Sequence, residues 1–328
     1  MRFRRNICLS FTVLASLLLG SCATPAITDP FTASGQVWPA PPSVPRIQYV
    51  TEFSGPAELG IQPSFWSRFS DLAAGEESLD MVRPMSVAAA PDGKVIYVAD
   101  PEANCVHRYD LQKGRYGCLV TESGGALASP VGLAVSGDGS LYVADSGLGV
   151  VLHAAPGDDA LSPVLLLPPP AQPTGIAAGP GGDLYVASTG THSVRRYGRD
   201  GSMKREYGER GNQPGQMNFP TYLWLAESEL LVSDTMNFRI QRIDPENGVL
   251  GVFGEAGDGS GFLARPKGVA MDGHGHIYVI DGSHHALHIF DRDGQLLLSL
   301  GQQGSGPGEF WLPSGVFVGN DDLVYVAD

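Results

Sequence analysis

Five aspartates end short apolar strands at regular intervals, and they are the first residues in the chain that could do chemistry. They close the segments IYVAD, LYVAD, LLVSD, IYVID and VYVAD at Asp100, Asp145, Asp234, Asp281 and Asp328, while Ser188 takes the same place in LYVAS. Carboxylates serve as general acids and bases, so a single such residue would be a catalytic candidate. Because the acid recurs from unit to unit, we predict a structural role: each accepts backbone N–H bonds in the following turn. We predict no catalytic residue among them.

Histidines are the second candidates, and five of the eight lie between residues 274 and 288. His284 and His285 are adjacent, so in an extended chain they point to opposite sides and cannot readily chelate one metal. His274 and His276 flank a turn. We therefore predict solvated loop positions, no bound metal and no cofactor, with zinc catalysis by three histidines as the alternative. The sequence also lacks a G-x-S-x-G nucleophile elbow, a P-loop and a dinucleotide-binding fingerprint.

The chain holds four cysteines, and two of them could form a disulfide. Cys105 and Cys118 lie on neighbouring predicted strands on either side of a turn. Secretion would make a cross-strand disulfide feasible. Two small buried hydrophobic residues that are out of register are the alternative, and the sequence does not decide between the two.

The N-terminus is predicted to be a processing signal rather than part of the fold. Three arginines among the first five residues precede a short apolar run that ends in Leu19-Gly20-Ser21-Cys22. This run is too short to span a bilayer comfortably. It resembles a bacterial lipoprotein signal, which implies removal of residues 1–21 and lipidation of Cys22; an ordinary signal peptide with an incidental cysteine is the alternative. Since Ala23 follows instead of aspartate, the resemblance implies an outer-membrane anchor facing the periplasm.

The elements that must position these residues repeat along the chain. Each unit opens with a proline before a short apolar strand, at Pro84, Pro130, Pro173, Pro220, Pro266 and Pro313. The steps between them are 46, 43, 47, 46 and 47 residues. Four short strands per unit and a period in the mid-forties indicate a β-propeller. Six units predict an all-β, six-bladed propeller with four-stranded blades that start near 83, 129, 172, 219, 265 and 312.

The repeat pattern P-x-G-V-A-x-D…IYV-x-D…N-x-R-I…F-D-x-D-G…L-G resembles the NHL repeat. The match runs from about Arg83 to the end and is clear in FPTYLWL…LLVSDTMNFRIQRID of the fourth unit. The resemblance is specific for the fold and nearly silent on activity. The six-bladed propellers that this chain resembles also include metal-dependent lactonases and lyases, which hold a metal at the mouth of the central channel. Here the corresponding positions are Met85, Val131, Thr174, Thr221, Lys267 and Ser314, none of them an obvious ligand.

Three segments precede the first blade. Residues 22–45 are rich in proline, serine and threonine and are predicted to be a tether. Residues 46–53 are strand-like, and we predict that they close the last blade of the domain that spans 46–328. Residues 63–75 show helical spacing of aromatic residues and are predicted to form a short helix over the propeller, or an exposed patch for a partner. The last blade ends after its second strand, so we predict a truncated reading frame, because an open strand position would expose an unpaired edge.

The charge of the chain restricts its partners. The net charge is −14, and the predicted signal carries away three arginines and no acids. A basic stripe for nucleic acid is absent, and anionic lipid heads would be repelled, so the membrane contact is expected through the lipid alone. An envelope protein, or a small neutral or basic ligand, remains as the expected partner of a monomeric chain.

The loops before each proline and after each second strand are expected to share one face of the ring. That face gathers Arg265, Lys267, Tyr222, Thr174, Thr221, His192, His284, His285 and Trp311. Binding residues collect on convergent loops of a rigid scaffold, so we predict the binding face here, centred on Lys267 and Tyr222. The alternative is that Tyr222 plugs the channel and Lys267 is solvated. The predicted function is a non-catalytic binding scaffold; a lactonase- or lyase-like enzyme and a small-ligand sensor are the alternatives.

Overall fold

The computed structural model describes residues 35–61, 79–227, 229–257, 259 and 261–328. A short hairpin is formed by β1 (Val37–Trp38) and β2 (Ile47–Gln48). Blade one consists of β3 (Ser86–Ala89), β4 (Val95–Asp100), β5 (Cys105–Asp110) and β6 (Arg115–Thr121). Blade two consists of β7 (Pro130–Val135), β8 (Leu141–Asp145), β9 (Val150–Ala154) and β10 (Ala160–Leu166). Blade three consists of β11 (Pro173–Ala178), β12 (Leu184–Ser188), β13 (Ser193–Tyr197) and β14 (Met203–Tyr207).

The second half of the ring repeats the same order. Blade four consists of β15 (Pro220–Ala226), β16 (Glu229–Asp234), β17 (Arg239–Asp244) and β18 (Gly248–Phe253). Blade five consists of β19 (Pro266–Met271), β20 (Ile277–Asp281), β21 (Ala286–Phe290) and β22 (Leu296–Leu300). Blade six contributes β23 (Gly315–Val318) and β24 (Val324–Ala327) within the described residues. Two one-turn 3-10 helices, Pro180–Gly182 and Thr235–Asn237, lie in connecting turns.

Each blade is an antiparallel meander that runs outward from the channel. The innermost strands contact one another in chain order, and β23 contacts β3, which closes the ring. Blades one and two also join at their outer edges, where β6 and β10 pair in parallel through Val120 with Ala160 and Thr121 with Leu161. These sheets confirm the predicted all-β, six-bladed architecture.

The core lies between blades because the second strands are apolar on both faces. Ile277 and Val279 pack toward blade four, in a cluster with Leu231. Tyr278 and Ile280 face the other way and pack in a different cluster that contains side chains of blade six. Full burial of such a side chain contributes about 1.5–3 kcal/mol, so neighbouring blades stabilise each other.

Glycines bring the innermost strands close together and narrow the channel. A Cβ on Gly132 would lie 1.9 Å from the carbonyl oxygen of Thr174, and one on Gly175 would lie 2.7 Å from that of Thr221. At these glycines, the innermost strands of adjacent blades are therefore in direct backbone contact. This contact leaves little room at the axis of the ring.

The segment 46–53 does not close the last blade, which corrects the prediction from the sequence. Its β2 pairs with β1, and β24 pairs with β23. The reason is apolar burial: Trp38 and Ile47 pack against the cluster of blades five and six. The predicted tether 22–45 is therefore folded in part, since β1 lies within it. Further on, Leu59 and Ile61 fill the core between blades six and one.

Several predictions fall on residues that the structure does not describe. The signal 1–21, the lipid site Cys22 and the helix predicted over 63–75 lie outside the described residues. The predicted shortfall after Asp328 stays a prediction. No helix in the described ranges has the length and apolarity needed to cross a membrane.

Candidate functional site

The strand-ending aspartates hold backbone loops together, as predicted. The buried carboxylate of Asp145 accepts the N–H groups of Ala128 at 2.9 Å, Ser129 at 3.0 Å and Leu148 at 2.9 Å. It thus ties the loop before blade two to the turn after β8. In blade three, Ser188 takes this role with a hydroxyl that accepts the N–H groups of Gln172 and Thr191.

In Asp100, the same arrangement of backbone N–H groups shifts the pKa of the carboxyl. Burial alone would raise the pKa of its carboxyl, but the N–H groups of Val82, Ala103 and Arg83 outweigh burial and hold the pKa below its usual range. Asp328 repeats the arrangement in blade six by accepting the N–H groups of Trp311 and Leu312. These acids are therefore occupied in structural hydrogen bonds, which confirms their predicted structural role.

Tyr222 crosses the channel and plugs it. Its hydroxyl donates a hydrogen bond to the carbonyl oxygen of Met85, on the far side of the ring in blade one. Burial raises the pKa of this phenol. The cavity left beside the ring is about 20 Å³, which is room for about one water molecule. Of the two interpretations from the sequence, the structure shows the plug, so Tyr222 is not the centre of an exposed face.

The two threonines at the channel mouth connect neighbouring blades. Thr174 donates from its hydroxyl to the carbonyl oxygen of Pro220 at 3.1 Å. Thr221 is bonded to the hydroxyl of Thr235 at 2.6 Å, which in turn donates to the carbonyl oxygen of Pro266. Their polar groups thus bind the next blade and are not presented to a ligand.

Lys267 is half-buried at the same mouth. Its Nζ donates to the carbonyl oxygen of Pro313 at 3.2 Å and to Oγ of Ser314 at 3.0 Å. Burial, with the neighbouring charges of Arg265 and Arg83, lowers the pKa of Lys267 to about 8. The mouth is thus a cationic centre, with Arg265 exposed beside it.

A ring of exposed apolar side chains surrounds this cationic centre. All of them lie in loops just before a proline or just after a second strand, which places them on one face of the propeller. We call them the apolar rim: Val82, Leu148, Phe219, Met236, Trp311 and Leu312. Val82 is 68% exposed and Trp311 59%. Trp311 was predicted here; the other five occupy the same kinds of loop position and were not predicted.

The predicted histidines of this face have different surroundings. His192 packs edge-on against Phe219 at 4.7 Å between ring centroids and accepts the N–H of that residue. His284 lies beside Asp281, with Nδ1 3.4 Å from Oδ2. The adjacent His285 adopts a positive φ of 51°. The missed histidine is His288, whose side chain is buried in β21 and lies close to that of His284.

Cys105 and Cys118 are joined by a disulfide, with their Cα atoms 5.7 Å apart. Cys118 lies opposite His107 in the pairing of β5 and β6, so the bridge runs diagonally across the two strands. This distance is ordinary for a disulfide. The bond fixes the outer edge of blade one.

Six blades around a plugged channel, with loops held by strand-ending aspartates, define the fold of the protein as a six-bladed β-propeller. Residues 171–197 match the NHL repeat, and residues 263–328 match a family described as a 6-bladed beta-propeller. The E3 ubiquitin-protein ligase TRIM32 of Mus musculus is 34% identical over 130 residues, which are 36% of this chain. The chain spans 20% of that protein's length. Together these matches confirm NHL-type propeller repeats in the chain.

Solved structures support the same fold. A virginiamycin B lyase from Staphylococcus aureus, solved with quinupristin, superposes with a TM-score of 0.57 at 17% identity, covering 75% of this chain and 77% of its own. A gluconolactonase from Xanthomonas campestris gives 0.58 at 18%, covering 75% and 83%. A chain of the nidogen/laminin complex gives 0.57 at 19%, covering 75% and 85%. At these identities the likeness shows the fold alone, which serves both enzymes and binding proteins.

Proposed function

We propose that the chain is a non-catalytic binding scaffold, anchored in the outer membrane by a lipid on Cys22 and facing the periplasm. The observation that carries this proposal is the apolar rim around a cationic mouth on a rigid ring. Isolated apolar side chains are common on protein surfaces, whereas a group of six on one face indicates an interaction site. Tryptophan and arginine are also the residues that dominate interface energies.

The charge of this face restricts its partner further than the net charge does. The positive charges of Arg265 and Arg83 act on Lys267 and lower its pKa. Of the two strand-ending acids near Lys267, Asp281 is buried, whereas Asp328 is exposed; both accept hydrogen bonds from backbone N–H groups. A small basic ligand is therefore disfavoured at the mouth. An envelope protein that offers apolar side chains and an acidic group fits the face best.

The channel mouth does not fit the metal of a lactonase or lyase. Its described side chains offer neutral hydroxyls and the ammonium group of Lys267, which would repel a divalent cation. Such cations prefer several carboxylate, amide or imidazole ligands. The enzyme alternative is therefore weaker than the scaffold, on the chemistry of the donors that are present.

The small-ligand alternative would use the other end of the channel. There, an open groove of about 320 Å³ is lined by Gly137, Ala178, Pro180, Leu225 and Glu227. The volume of this groove is at the low end for a ligand site. Among the described side chains that line it, the carboxylate of Glu227 is the one polar group. We therefore place the partner on the apolar rim.

A matched pair of double variants tests the proposal. Trp311→Ser with Met236→Ser removes two members of the rim. Leu250→Ser with Leu297→Ser removes two similarly exposed leucines from the outer strands β18 and β22. After cross-linking in intact cells, the rim variant should capture the partner at least about tenfold less well, because two interface anchors cost over ~1 kcal/mol each. Equal losses in both variants, or loss in the leucine pair alone, would contradict the proposal.

The anchor has its own test. Cys22→Ser should abolish incorporation of labelled fatty acid and leave unprocessed precursor in the inner membrane. A mature chain that starts elsewhere and carries no lipid would contradict the lipoprotein assignment. Because the rim test uses the folded propeller, the two outcomes are independent.

A further inference from the structure

Blade five holds a cluster of one carboxylate and two imidazoles that the binding face does not use. Asp281, His284 and His288 each place one ligand atom within 4.8 Å of the others. Asp281 ends β20, His288 lies in β21 opposite Val279, and His284 lies in the loop between these strands. Asp281 and His288 are buried, whereas the side chain of His284 is 20% exposed. We call these three residues the blade-five cluster.

His288 supplies an independent observation. It is only 6% exposed, yet both of its ring nitrogens are buried without a hydrogen-bond partner among the described residues. A buried polar group left without a partner costs about 1–3 kcal/mol, so proteins seldom retain one without a reason. A ligand bound between His288 and its two neighbours would remove this cost.

Comparison between blades shows that blade five is different. The residue seven positions after the strand-ending acid faces that acid. In blade four this residue is Gln241, which donates directly to Asp234 at 2.9 Å. In blade one it is His107, which lies 3.5 Å from Asp100 and bonds through its other ring nitrogen to Tyr116.

Blade one lacks the third donor, because Ala103 takes the place that His284 has in blade five. Blades two and three have Leu152 and Arg195 at the seventh position and cannot form such a cluster. Among the described blades, only blade five therefore combines an acid with two imidazoles. Because the other described blades lack this combination, the repeat does not require it for folding.

We propose that Asp281, His284 and His288 form a zinc-binding site. Two imidazoles and a carboxylate are ligands that Zn²⁺ prefers, with the fourth position left to water or another donor. The 3.4 Å between His284 and Asp281 suits two donors on one tetrahedral ion, and the loop position of His284 lets its ring turn toward His288.

The surroundings of Asp281 set the strength of the site. Its carboxylate already accepts the N–H groups of Ala264, Arg265, Ser283 and His284. These bonds orient the carboxylate but compete with a metal for its lone pairs, so we expect a Kd on the order of 1 μM, weaker than a structural zinc finger. Since Arg265 belongs to the cationic mouth, zinc would also fix one loop of the binding face.

Titration of the full-length, tag-free chain in detergent with Co²⁺ and Zn²⁺ tests the site. The wild type should bind one Co²⁺ with the visible absorption of a tetrahedral complex, and Zn²⁺ should displace it. His288→Gln copies Gln241 of blade four, so it should fold normally and lose at least about tenfold in affinity. His107→Gln, the matched change in blade one, should leave binding unchanged.

Each outcome decides the proposal. The proposal is overturned if the wild type does not bind Zn²⁺ at ~10 μM, well above the expected Kd. Equal binding by His288→Gln, or an equal loss in His107→Gln, would also overturn it. If His288→Gln does not fold, His284→Ser provides the same test, because His284 lies outside the strands, in a loop where its side chain is partly exposed.

Discussion

Replacing Asp145 with alanine tests whether the strand-ending acids are structural groups. The carboxylate is fully buried and accepts three backbone N–H groups, from Ala128, Ser129 and Leu148. Alanine would leave all three donors without a partner in a place that water reaches poorly. The loop before β7 would then separate from the turn after β8. We therefore expect a large loss of stability.

The size of the loss follows from the hydrogen bonds. A bond to a charged group contributes about 1.5–3 kcal/mol, and the freed donors regain part of this by local rearrangement, so Asp145→Ala should cost about 4 kcal/mol. Ser188 offers an internal comparison because its neutral hydroxyl accepts only two N–H groups. Neutral bonds contribute about 1 kcal/mol each, so Ser188→Ala should cost about 2 kcal/mol.

Chemical denaturation of the two variants and the wild type measures both values. Equal denaturant slopes would show that the free energy of unfolding has changed and not the extent of unfolding. If Ser188→Ala costs as much as Asp145→Ala, the charge and the third bond add nothing, and the reasoning is refuted. A cost below about 1 kcal/mol for Asp145→Ala would equally refute it, because a buried structural carboxylate cannot be that dispensable.

Three further perturbations test other parts of the structure. Replacing Cys105 and Cys118 with serine should lower stability by about 3 kcal/mol, because the bridge closes a short loop; a wild type insensitive to reductant would contradict this. Lys267 should react with a small acylating reagent half-maximally near pH 8, because its pKa is about 8. Since this folded-state pKa lies below the usual 10.5, the free energy of unfolding should rise with pH between these two values. Lys267→Met should remove both effects. Burial raises the pKa of Glu229, but Arg242 outweighs burial and holds the pKa of this carboxyl below 4.5. The stability that this ion pair contributes is present above pH 4.5 and is lost as the pH falls through the folded-state pKa of Glu229. Glu229→Gln should therefore flatten the acid limb of the profile of stability against pH, and an unchanged acid limb would show that the pair is not formed.

The propeller could be predicted from the sequence because its signals are local and periodic. A strand such as β20 is apolar on both faces, so it requires neighbours on both sides, and the spacing of the prolines supplies them. The hairpin of β1 and β2 could not be predicted in the same way. Its proline-rich composition suggested a tether, whereas burial of Trp38 against blades five and six, through contacts far apart in sequence, decides its position.

The sequence indicated where the residues of the candidate binding face lie on the ring, but not the contacts that they make. The loop positions indicated which face carries Trp311 and Arg265. They could not show that the hydroxyl of Tyr222 reaches Met85 across the ring, because that contact depends on how closely the glycines bring the inner strands together. His288 could have been found by aligning the blades, since it takes the position of Gln241 relative to the strand-ending acid.

Site-specific photo-cross-linking in intact cells tests the central claim most directly, namely that the face of the apolar rim binds a protein. A photoreactive side chain would replace Trp311 or Phe219 on that face, and Asp92 or Asp138 in the hairpins of the opposite face. The scaffold proposal predicts one discrete cross-linked partner from the first two positions and none from the last two. Cross-links from the hairpin positions alone, or none from any position, would contradict it.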